Sequence, residues 1–355
     1  MGIRVFIVDD SAVVRKVLTD MLDCVSGIEV IGAAQDPIFA QSRMEKDWPD
    51  VLILDVEMPR MDGITFLKKI MAERPTPIVM CSTLTVEGSK TSLQALSFGA
   101  IDVVAKPLAN LKTSLPEASQ ELLSAIRTAA KANMAGAKPK RITPISSIPE
   151  KLTADAMLGK ASSRNVQRTG ALIAIGASTG GTQALEAVLT ALPSNTLPIL
   201  VVQHMPEKFT RTFANRLDDL CRVEVKEAED NDALLPGRVL IAPGGMHMML
   251  HTTQFGASVQ VKNGPLVSRH KPSVDVLFRS VAKYAGSNAQ GIIMTGMGDD
   301  GARGIKEMHD VGAKTIAQNE ATCVVYGMPK EAVKLGAIDY EIPLGKIPEM
   351  IVAHK

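Results

Sequence analysis

The first third of the chain alternates short apolar runs with segments whose apolar residues recur at helical spacing. The first run, RVFIVDD, ends in two acids, and the segment after Ser11 carries apolar residues at i, i+3, i+4, i+7 and i+8. That spacing predicts an amphipathic helix capped by Ser11. Further strands are predicted at 29–34, 51–55, 77–82 and 102–106. Strands that are apolar on both faces and separated by helices indicate a doubly wound α/β fold with a parallel sheet.

Polar side chains are predicted to collect at one edge of this first sheet, because they follow the apolar runs where each strand ends. They are Asp9, Asp10, Asp55, Ser82 and Lys106. The carboxyl ends of parallel strands form the ligand-binding edge of such a sheet. Three carboxylates there repel one another unless a cation lies between them, and oxygen ligands favour Mg²⁺. A lysine and a hydroxyl beside them suit the oxygens of a phosphoryl group.

A second α/β pattern begins near residue 169 with an apolar strand (171–175), a glycine-rich turn and a helix. Two functional interpretations compete for the turn. Its glycines would let backbone amides at the helix start bind a nucleotide phosphate. Alternatively, the G-x-S-x-G spacing from Gly176 to Gly180 presents Ser178 as a nucleophile on a sharp strand-to-helix turn. A purely structural turn is the third possibility.

The downstream sequence favours the nucleophile. A dinucleotide site calls for an acidic residue at the end of the next strand, but that strand, LPILVVQHMP, ends in His204. A histidine there is placed to act as a general base, and Asp299 or Asp300, at a later strand–turn–helix segment, can orient it. The order Ser, His, Asp differs from that of the α/β-hydrolases and indicates a separate lineage. His270, next to a predicted helix start, is placed to line the same site.

Composition excludes several classes of protein. A length of 355 residues predicts two domains, and 46% hydrophobic against 22% charged residues allows sizeable cores. A net charge of +1 and 3% aromatic residues argue against nucleic-acid or membrane-surface binding. Four widely spaced cysteines suit a reducing cytosol, and two acids within the first ten residues argue against a signal peptide. We therefore expect a cytoplasmic protein that is not inserted in a membrane. We also expect it to be a monomer.

The near-neutral total conceals three regions of different charge. Residues 1–134 sum to −3, residues 135–168 to +5 and residues 169–355 to −1. The middle region is rich in Ser, Thr, Pro and basic residues, so we predict a flexible basic linker between two domains. A DNA-binding second domain would need a basic surface, which a sum of −1 does not favour.

The first sheet edge, together with DVEMPRMDG (55–63) and Lys106-Pro107, gives residues 1–134 a resemblance to the receiver domain of two-component response regulators, a flavodoxin-like fold. The resemblance implies that Asp55 accepts a phosphoryl group. The Mg²⁺ ligands it implies are Asp9, Asp10, the Asp55 carboxylate and the Glu57 backbone carbonyl. The phosphoryl contacts it implies are Ser82 and Lys106. Val103 departs from the family, because many receivers carry an aromatic switch residue there.

Five longer motifs give residues 169–355 a resemblance to the chemotaxis protein-glutamate methylesterase (CheB) family. They are GASTGG (176–181), QHMP (203–206), RHKPSVDVLF (269–278), TGMGDDGA (295–302) and AQNEATCVVYGMP (317–329). The resemblance implies a doubly wound, mostly parallel α/β esterase domain. The roles it implies are Ser178 as nucleophile, His204 as general base, Asp300 as orienting acid, and the backbone amides of Met297 and Thr179 as the oxyanion hole. Asp299 stands where many members carry Asn.

The resemblance also implies an activity and its partners. The enzyme would hydrolyse glutamate methyl esters on methyl-accepting chemotaxis receptors and deamidate receptor glutamines, without a cofactor for the ester chemistry. A chemotaxis histidine kinase would be the phosphodonor. A receiver joined to a hydrolase suggests that the receiver blocks the active-site cleft until Asp55 is phosphorylated. The competing hypothesis, a second domain that only binds a partner or a nucleotide, predicts that Ser178, His204 and Asp300 need not converge.

Overall fold

The computed structural model describes residues 2–56, 58, 61–82, 91, 94–96, 98–106, 115–132, 152–159, 169–207, 209–253 and 256–354. The chain divides into two compact units, Met1–Pro139 and Lys140–Lys355. Most of the predicted linker, 135–168, lies outside the described residues, so the boundaries at 134 and 169 stay predictions.

The first unit is built on a five-stranded parallel sheet. Its strands are β1 (Ile3–Val8), β2 (Ile28–Ala34), β3 (Val51–Asp55), β4 (Ile78–Ser82) and β5 (Asp102–Ala105). Its helices include α1 (Ala12–Asp23), α2 (Pro37–Met44), α3 (Gly63–Glu73) and α4 (Leu115–Ala129). The strand order β2-β1-β3-β4-β5, with parallel neighbours throughout, is that of flavodoxin-like proteins. The predicted doubly wound fold is confirmed.

Local sequence explains why α1 begins where it does. The Ser11 side chain accepts a hydrogen bond from the backbone N–H of Val14, which satisfies one of the donors left open at a helix start. Leu18 and Leu22, one turn apart on the apolar face, are fully buried. The helix therefore packs on the sheet through the face that its spacing predicted.

The second unit carries a seven-stranded parallel sheet and a separate antiparallel hairpin. The strands are β6 (Leu172–Ala177), β7 (Ile199–Gln203), β8 (Glu224–Glu227), β9 (Arg238–Ile241), β10 (His247–Thr253), β11 (Gly256–Lys262), β12 (Ala289–Ile293), β13 (Lys314–Gln318) and β14 (Tyr340–Ile342). The helices are α5 (Gly181–Leu189), α6 (Phe209–Leu220), α7 (Val274–Tyr284), α8 (Ala302–Asp310), α9 (Met328–Lys334) and α10 (Ile347–Val352). Strands β10 and β11 form the hairpin.

The order of the large sheet determines where its crevice opens. The sheet runs β14-β13-β12-β6-β7-β9-β8, so the chain leaves β6 in one direction towards β8 and returns to build the other side from β12. Strands β6, β7 and β12 are fully buried, as expected for a parallel sheet covered on both faces. Ligand sites in such sheets lie where the strand order reverses, which here is the carboxyl end of the β6–β12 pair.

Residues 152–159 differ from the flexible linker predicted for 135–168, because they pack on the second unit. A short 3₁₀ turn, Ala154–Ala156, buries Ala154 in an apolar cluster with Met249, Val267 and Val276. The backbone N–H of Ser268 donates to the Leu152 carbonyl at 2.9 Å. Asp155 accepts a hydrogen bond from Arg279 at 2.8 Å. These partners lie 95 or more residues away in sequence, so the local sequence pattern could not predict the contacts.

Candidate functional site

At the carboxyl edge of the first sheet, two buried acids face one lysine. Asp9 follows β1, Asp55 ends β3 and Lys106 follows β5. The Lys106 ammonium lies 2.6 Å from Asp55 Oδ2 and 3.0 Å from Asp9 Oδ2. Burial disfavours the charged lysine, but the two ion pairs outweigh that effect and raise the pKa of Lys106. The edge therefore holds a fixed positive charge between two carboxylates.

The same edge offers the ligands of a hard cation. Oxygens of Asp9, Asp10 and Asp55 lie within 4.8 Å of one another. Three carboxylates against one ammonium leave an excess of negative charge that a divalent cation would balance, and oxygen ligands fit Mg²⁺. Asp10 is exposed and lines a cleft of about 560 Å³, which leaves room for a ligand. Ser82 ends β4, between β3 and β5, and is buried. Glu57 lies outside the described residues.

In the second unit, Ser178 lies on a sharp turn between β6 and α5. Its carbonyl accepts hydrogen bonds from the Gly181 N–H at 2.7 Å and from Gln203 Nε2 at 2.9 Å. Gly180 has a φ of 76°, and a Cβ at Gly181 would lie 2.1 Å from Gln203 Oε1. Both glycines are therefore required by the turn, which leaves Ser178 partly exposed at the crevice. This is the strand–turn–helix context that the G-x-S-x-G spacing predicts.

His204 joins this turn to the acid of the third strand–turn–helix segment. Its backbone N–H donates to the Ala177 carbonyl at 3.1 Å, which places it beside the residue before Ser178. Its Nε2 lies 2.8 Å from Asp300 Oδ2. Because an ionised carboxylate only accepts, the neutral form of the ring has its proton on Nε2 and its lone pair on Nδ1. His204 Nδ1 is buried and has no hydrogen-bond partner among the described residues.

Asp300 is fully buried and accepts four hydrogen bonds. The donors are Ser273 Oγ at 2.8 Å, Val274 N at 2.8 Å, Asp275 N at 3.0 Å and His204 Nε2 at 2.8 Å. Two of these are backbone amides at the start of α7, where the helix dipole also favours an anion. Burial raises the pKa of Asp300, but its bond to His204 and the other donors outweigh this and hold the pKa well below the usual carboxyl range. Asp300 is therefore a fixed acceptor that orients His204.

The turn after β12 lies directly against the Ser178 turn. A Cβ at Gly296 would lie 2.7 Å from Ser178 Cβ, and a Cβ at Gly327 would lie 3.1 Å from Met297 Cα. The buried Thr295 hydroxyl donates to the Thr179 carbonyl at 2.9 Å. Met297 and Thr179 thus lie in the two turns that meet at Ser178, and their role as an oxyanion hole stays a prediction. Sequence reasoning did not single out Thr295, although it stands in the TGMGDDGA motif.

His270 lies inside the same site, where the sequence placed it. Its ring stacks on that of His204, with centroids 3.7 Å apart and planes 5° from parallel. Its Nδ1 is 4.0 Å from Asp300 Oδ2. The structure therefore groups two histidines and one buried acid beside the serine turn, a convergence that the partner-binding hypothesis does not predict.

Comparison with known proteins supports these assignments of fold. Residues 173–351 match the family model described as CheB methylesterase, and residues 5–115 match that of the response regulator receiver domain. The chain belongs to the CheB methylesterase family. The predictions of an ester hydrolase fold and of a receiver domain ahead of it are therefore confirmed.

Curated relatives of this CheB-family chain match it from end to end. A protein-glutamate methylesterase/protein-glutamine glutaminase of Pseudomonas syringae pv. tomato is 59% identical over 351 residues, covering 99% of this chain and 98% of the relative. A protein of the same name from Chromobacterium violaceum is 59% identical over 360 residues, covering 99% of each. The crystal structure of the Thermotoga maritima CheB methylesterase catalytic domain covers 52% of this chain and 98% of its own, with 39% identity and a TM-score of 0.50.

Within the described ranges, no helix is both long enough and apolar enough to cross a membrane.

Proposed function

We propose that this CheB-family enzyme is a protein-glutamate methylesterase and protein-glutamine glutaminase that acts on methyl-accepting chemotaxis receptors in the cytoplasm. The observation that carries the proposal is the 2.8 Å hydrogen bond between His204 Nε2 and the buried Asp300, beside the turn that presents Ser178. The names of relatives that are 59% identical over nearly the whole chain support the same substrate class.

In the proposed acylation step, Ser178 Oγ attacks the δ-carbonyl carbon of a glutamyl methyl ester. The serine proton passes to His204 Nδ1, the ring nitrogen that Asp300 leaves available. The resulting imidazolium is stabilised by the Asp300 carboxylate, which stays ionised because its pKa lies well below the usual range. His204 then returns the proton to the departing methoxide, so methanol leaves and a glutamyl ester of Ser178 remains.

Two further features complete the proposed cycle. The backbone N–H of Met297, with that of Thr179, would donate to the oxygen that becomes negative in the tetrahedral intermediate. In the second half, water loses a proton to His204 and attacks the acyl carbon. The His204 imidazolium then gives the proton to the departing Ser178 Oγ, which restores the serine and leaves a glutamate side chain on the receptor. With a receptor glutamine the leaving group is ammonia and the remaining steps are the same.

We propose that the first unit regulates this chemistry by phosphorylation of Asp55. Asp9, Asp10 and Asp55, with the carbonyl of Glu57, would hold Mg²⁺, which supplies charge neutralisation during phosphoryl transfer. Lys106 and Ser82 would bind oxygens of the transferred group, and a chemotaxis histidine kinase would be the donor. A phosphoryl group adds about −1.5 to −2 charge, enough to shift the equilibrium of an inhibitory contact between receiver and esterase.

The test is the release of methanol from receptor membranes that carry labelled methyl esters. The full chain should release methanol, and a small phosphodonor with Mg²⁺ should accelerate the release. A folded protein that releases no methanol, whether or not the phosphodonor and Mg²⁺ are added, would refute the esterase proposal. Release that is equal with and without the phosphodonor, despite phosphorylation of Asp55, would refute the regulatory proposal alone.

A further inference from the structure

We infer that Thr295 is a positioning residue of the esterase reaction, whose hydroxyl holds the backbone of Thr179 in place for the oxyanion that forms on the substrate. The inference rests on the proposed function and deepens it, because that proposal assigns the amides of Met297 and Thr179 to the oxyanion hole. Thr295 is only 1% exposed, so it does not reach the ester itself. It acts through the Ser178 turn and the turn after β12, which it joins.

The first observation is that three consecutive peptide groups of the Ser178 turn are held by hydrogen bonds. The Ser178 N–H donates to the Thr295 carbonyl at 3.0 Å, and the Thr295 hydroxyl donates to the Thr179 carbonyl at 2.9 Å. The peptide group between these two carries the Thr179 N–H. Its carbonyl, that of Ser178, accepts from Gln203 Nε2 at 2.9 Å. The direction of the Thr179 N–H is therefore fixed from both sides.

The second observation is how the Thr295 hydroxyl uses its bonding capacity. A hydroxyl has one proton to donate. The Thr179 carbonyl lies at 2.9 Å and the Val325 carbonyl at 3.3 Å, so the shorter bond to Thr179 takes the proton. The oxygen accepts from the Val325 N–H at 3.0 Å. Loss of the hydroxyl would take a donor from one buried backbone group and an acceptor from another, and both would have to shift to replace it.

The third observation is that Thr295 also fixes the turn that carries Met297, two residues further along the chain. The Thr295 N–H donates to the side-chain oxygen of Gln318, at the end of β13, at 2.9 Å. The next amide, that of Gly296, donates to the Val325 carbonyl at 3.0 Å. Thr295 therefore connects the two turns that would supply the oxyanion donors, and the same contacts set the spacing between them.

This placement affects the transition state more than the bound substrate. The ester oxygen becomes negative only as the tetrahedral intermediate forms, and amides that already point at it need not reorganise. The strength of a hydrogen bond falls steeply with distance and angle, so a displaced Thr179 N–H stabilises that charge less. The expected signature of a lost Thr295 hydroxyl is therefore a lower kcat with little change in KM.

The experiment compares Thr295→Val, which keeps the shape of the side chain without its hydroxyl, with Thr295→Ser, which keeps the hydroxyl. Thr315→Val is the matched control, because the buried Thr315 hydroxyl makes the same two kinds of bond. It donates to Asp339 Oδ2 at 3.0 Å and accepts from the Asp339 N–H at 3.2 Å, near the amino end of β13 and away from the site. For each full-length variant, the measurements are kcat and KM for methanol release, the pH dependence of kcat, and thermal unfolding.

A positioning role predicts that Thr295→Val lowers kcat by about 10- to 100-fold, the scale of a displaced catalytic group, with KM within about twofold. Thr295→Ser should keep kcat within about threefold of the native chain. Thr315→Val should lower the unfolding temperature as Thr295→Val does, yet keep native kcat. The pH midpoint of kcat, which reports the base His204, should not move in Thr295→Val because the bond between His204 and Asp300 is untouched.

Native kcat in a folded Thr295→Val protein would overturn the inference, and so would equal losses of kcat in the two valine variants. A shifted pH midpoint would also overturn it, because Thr295 would then act through His204. If Thr295→Val does not fold, Thr295→Cys takes its place, since a thiol is a weak donor. Its kcat should lie at least about threefold below that of Thr295→Ser, and equal values would overturn the inference. If Ser178→Ala still releases methanol, it is the proposed function that fails.

Discussion

The two sheet edges place acids at equivalent positions and use them in opposite ways. In the first unit, Asp9 and Asp55 are buried against a single lysine, with the exposed Asp10 beside them. In the second unit, Asp300 is equally buried but accepts four hydrogen bonds. The first cluster keeps capacity for an added cation and an added phosphoryl group. The second cluster has no such capacity, since the four hydrogen bonds occupy the acceptor positions of the Asp300 carboxylate.

The comparison shows that the parallel fold provides a position, and that the neighbours of the acid decide its chemistry. An acid surrounded by other acids attracts a cation and can accept a phosphoryl group. An acid at a helix start, supplied with amide donors, keeps a low pKa and serves as a permanent acceptor for a histidine. The predictions that follow test this division of roles.

The largest expected effect is at the nucleophile. Ser178→Ala should lower methanol release by at least about 10⁴-fold, because the serine, the histidine and the acid act as one unit. Ser287→Ala, an exposed serine in the same unit, is the control and should keep native activity. The variant should still accept phosphate at Asp55 from a small phosphodonor. Measurable turnover in Ser178→Ala would mean that the second edge has a different nucleophile.

Asp300→Asn should cost nearly as much, about 10⁴-fold in kcat, because an amide cannot stabilise the imidazolium and disfavours the required tautomer of His204. The neighbouring Asp299→Asn provides a matched control with the same chemical change one residue away. It should change kcat by less than about threefold, since the carboxylate that the described residues place on His204 Nε2 is that of Asp300. Equal losses in the two variants would contradict the assignment of Asp300 as the orienting acid.

Asp55→Asn should remove the whole stimulation by a phosphodonor, expected at about 5- to 150-fold, and leave the unstimulated rate unchanged. The reason is that the acceptor carboxylate is lost while the second sheet edge is untouched. Asp20→Asn, an exposed acid at the end of α1, should keep the stimulation. Stimulation that survives in Asp55→Asn would place the phosphoryl group on another residue.

Asp300 should also make the second unit sensitive to acid. Its pKa is depressed in the folded state, so its contribution to stability is complete above the unfolded carboxyl pKa and is lost as the pH falls through the folded value. Asp300→Asn should therefore lower the free energy of unfolding by about 2–3 kcal/mol at pH 7 and by much less near pH 2. Denaturant titrations at the two pH values measure this. A loss of equal size at both would show that packing, not ionisation, is responsible.

The smallest expected effect concerns the packed segment 152–159. Asp155→Ala removes one partner of Arg279, but Glu307 remains bonded to the same guanidinium. Because Asp155 is 54% exposed, the loss should be only about 0.5–1 kcal/mol in the free energy of unfolding. Asp219→Ala, an exposed acid on α6, tests the size of an ordinary surface substitution. A loss above about 3 kcal/mol would mean that the segment is a main structural support of the unit.

Several features could be predicted from local sequence because their causes are local. The spacing of Val14, Leu18 and Leu22 and the hydroxyl of Ser11 are sufficient to define α1. Short runs rich in branched apolar residues define the buried strands, and the glycines around Ser178 define a sharp turn. The grouping of the acids and the lysine at the first edge could be predicted from one rule, that the carboxyl ends of parallel strands lie at the same edge of a sheet.

Contacts between distant segments were decided by the tertiary structure alone. His204 and Asp300 are 96 residues apart, and the sequence left Asp299 and Asp300 as alternatives until a resemblance chose between them. Three further contacts depend on how parallel crossovers bring separate loops together. They are the amide donors that α7 supplies to Asp300, the stacking of His270 on His204, and the packing of residues 152–159 on Arg279. The sequence by itself therefore determined which residue types end each strand. Only the folded chain decided which of them touch, because that depends on distances that no local pattern encodes.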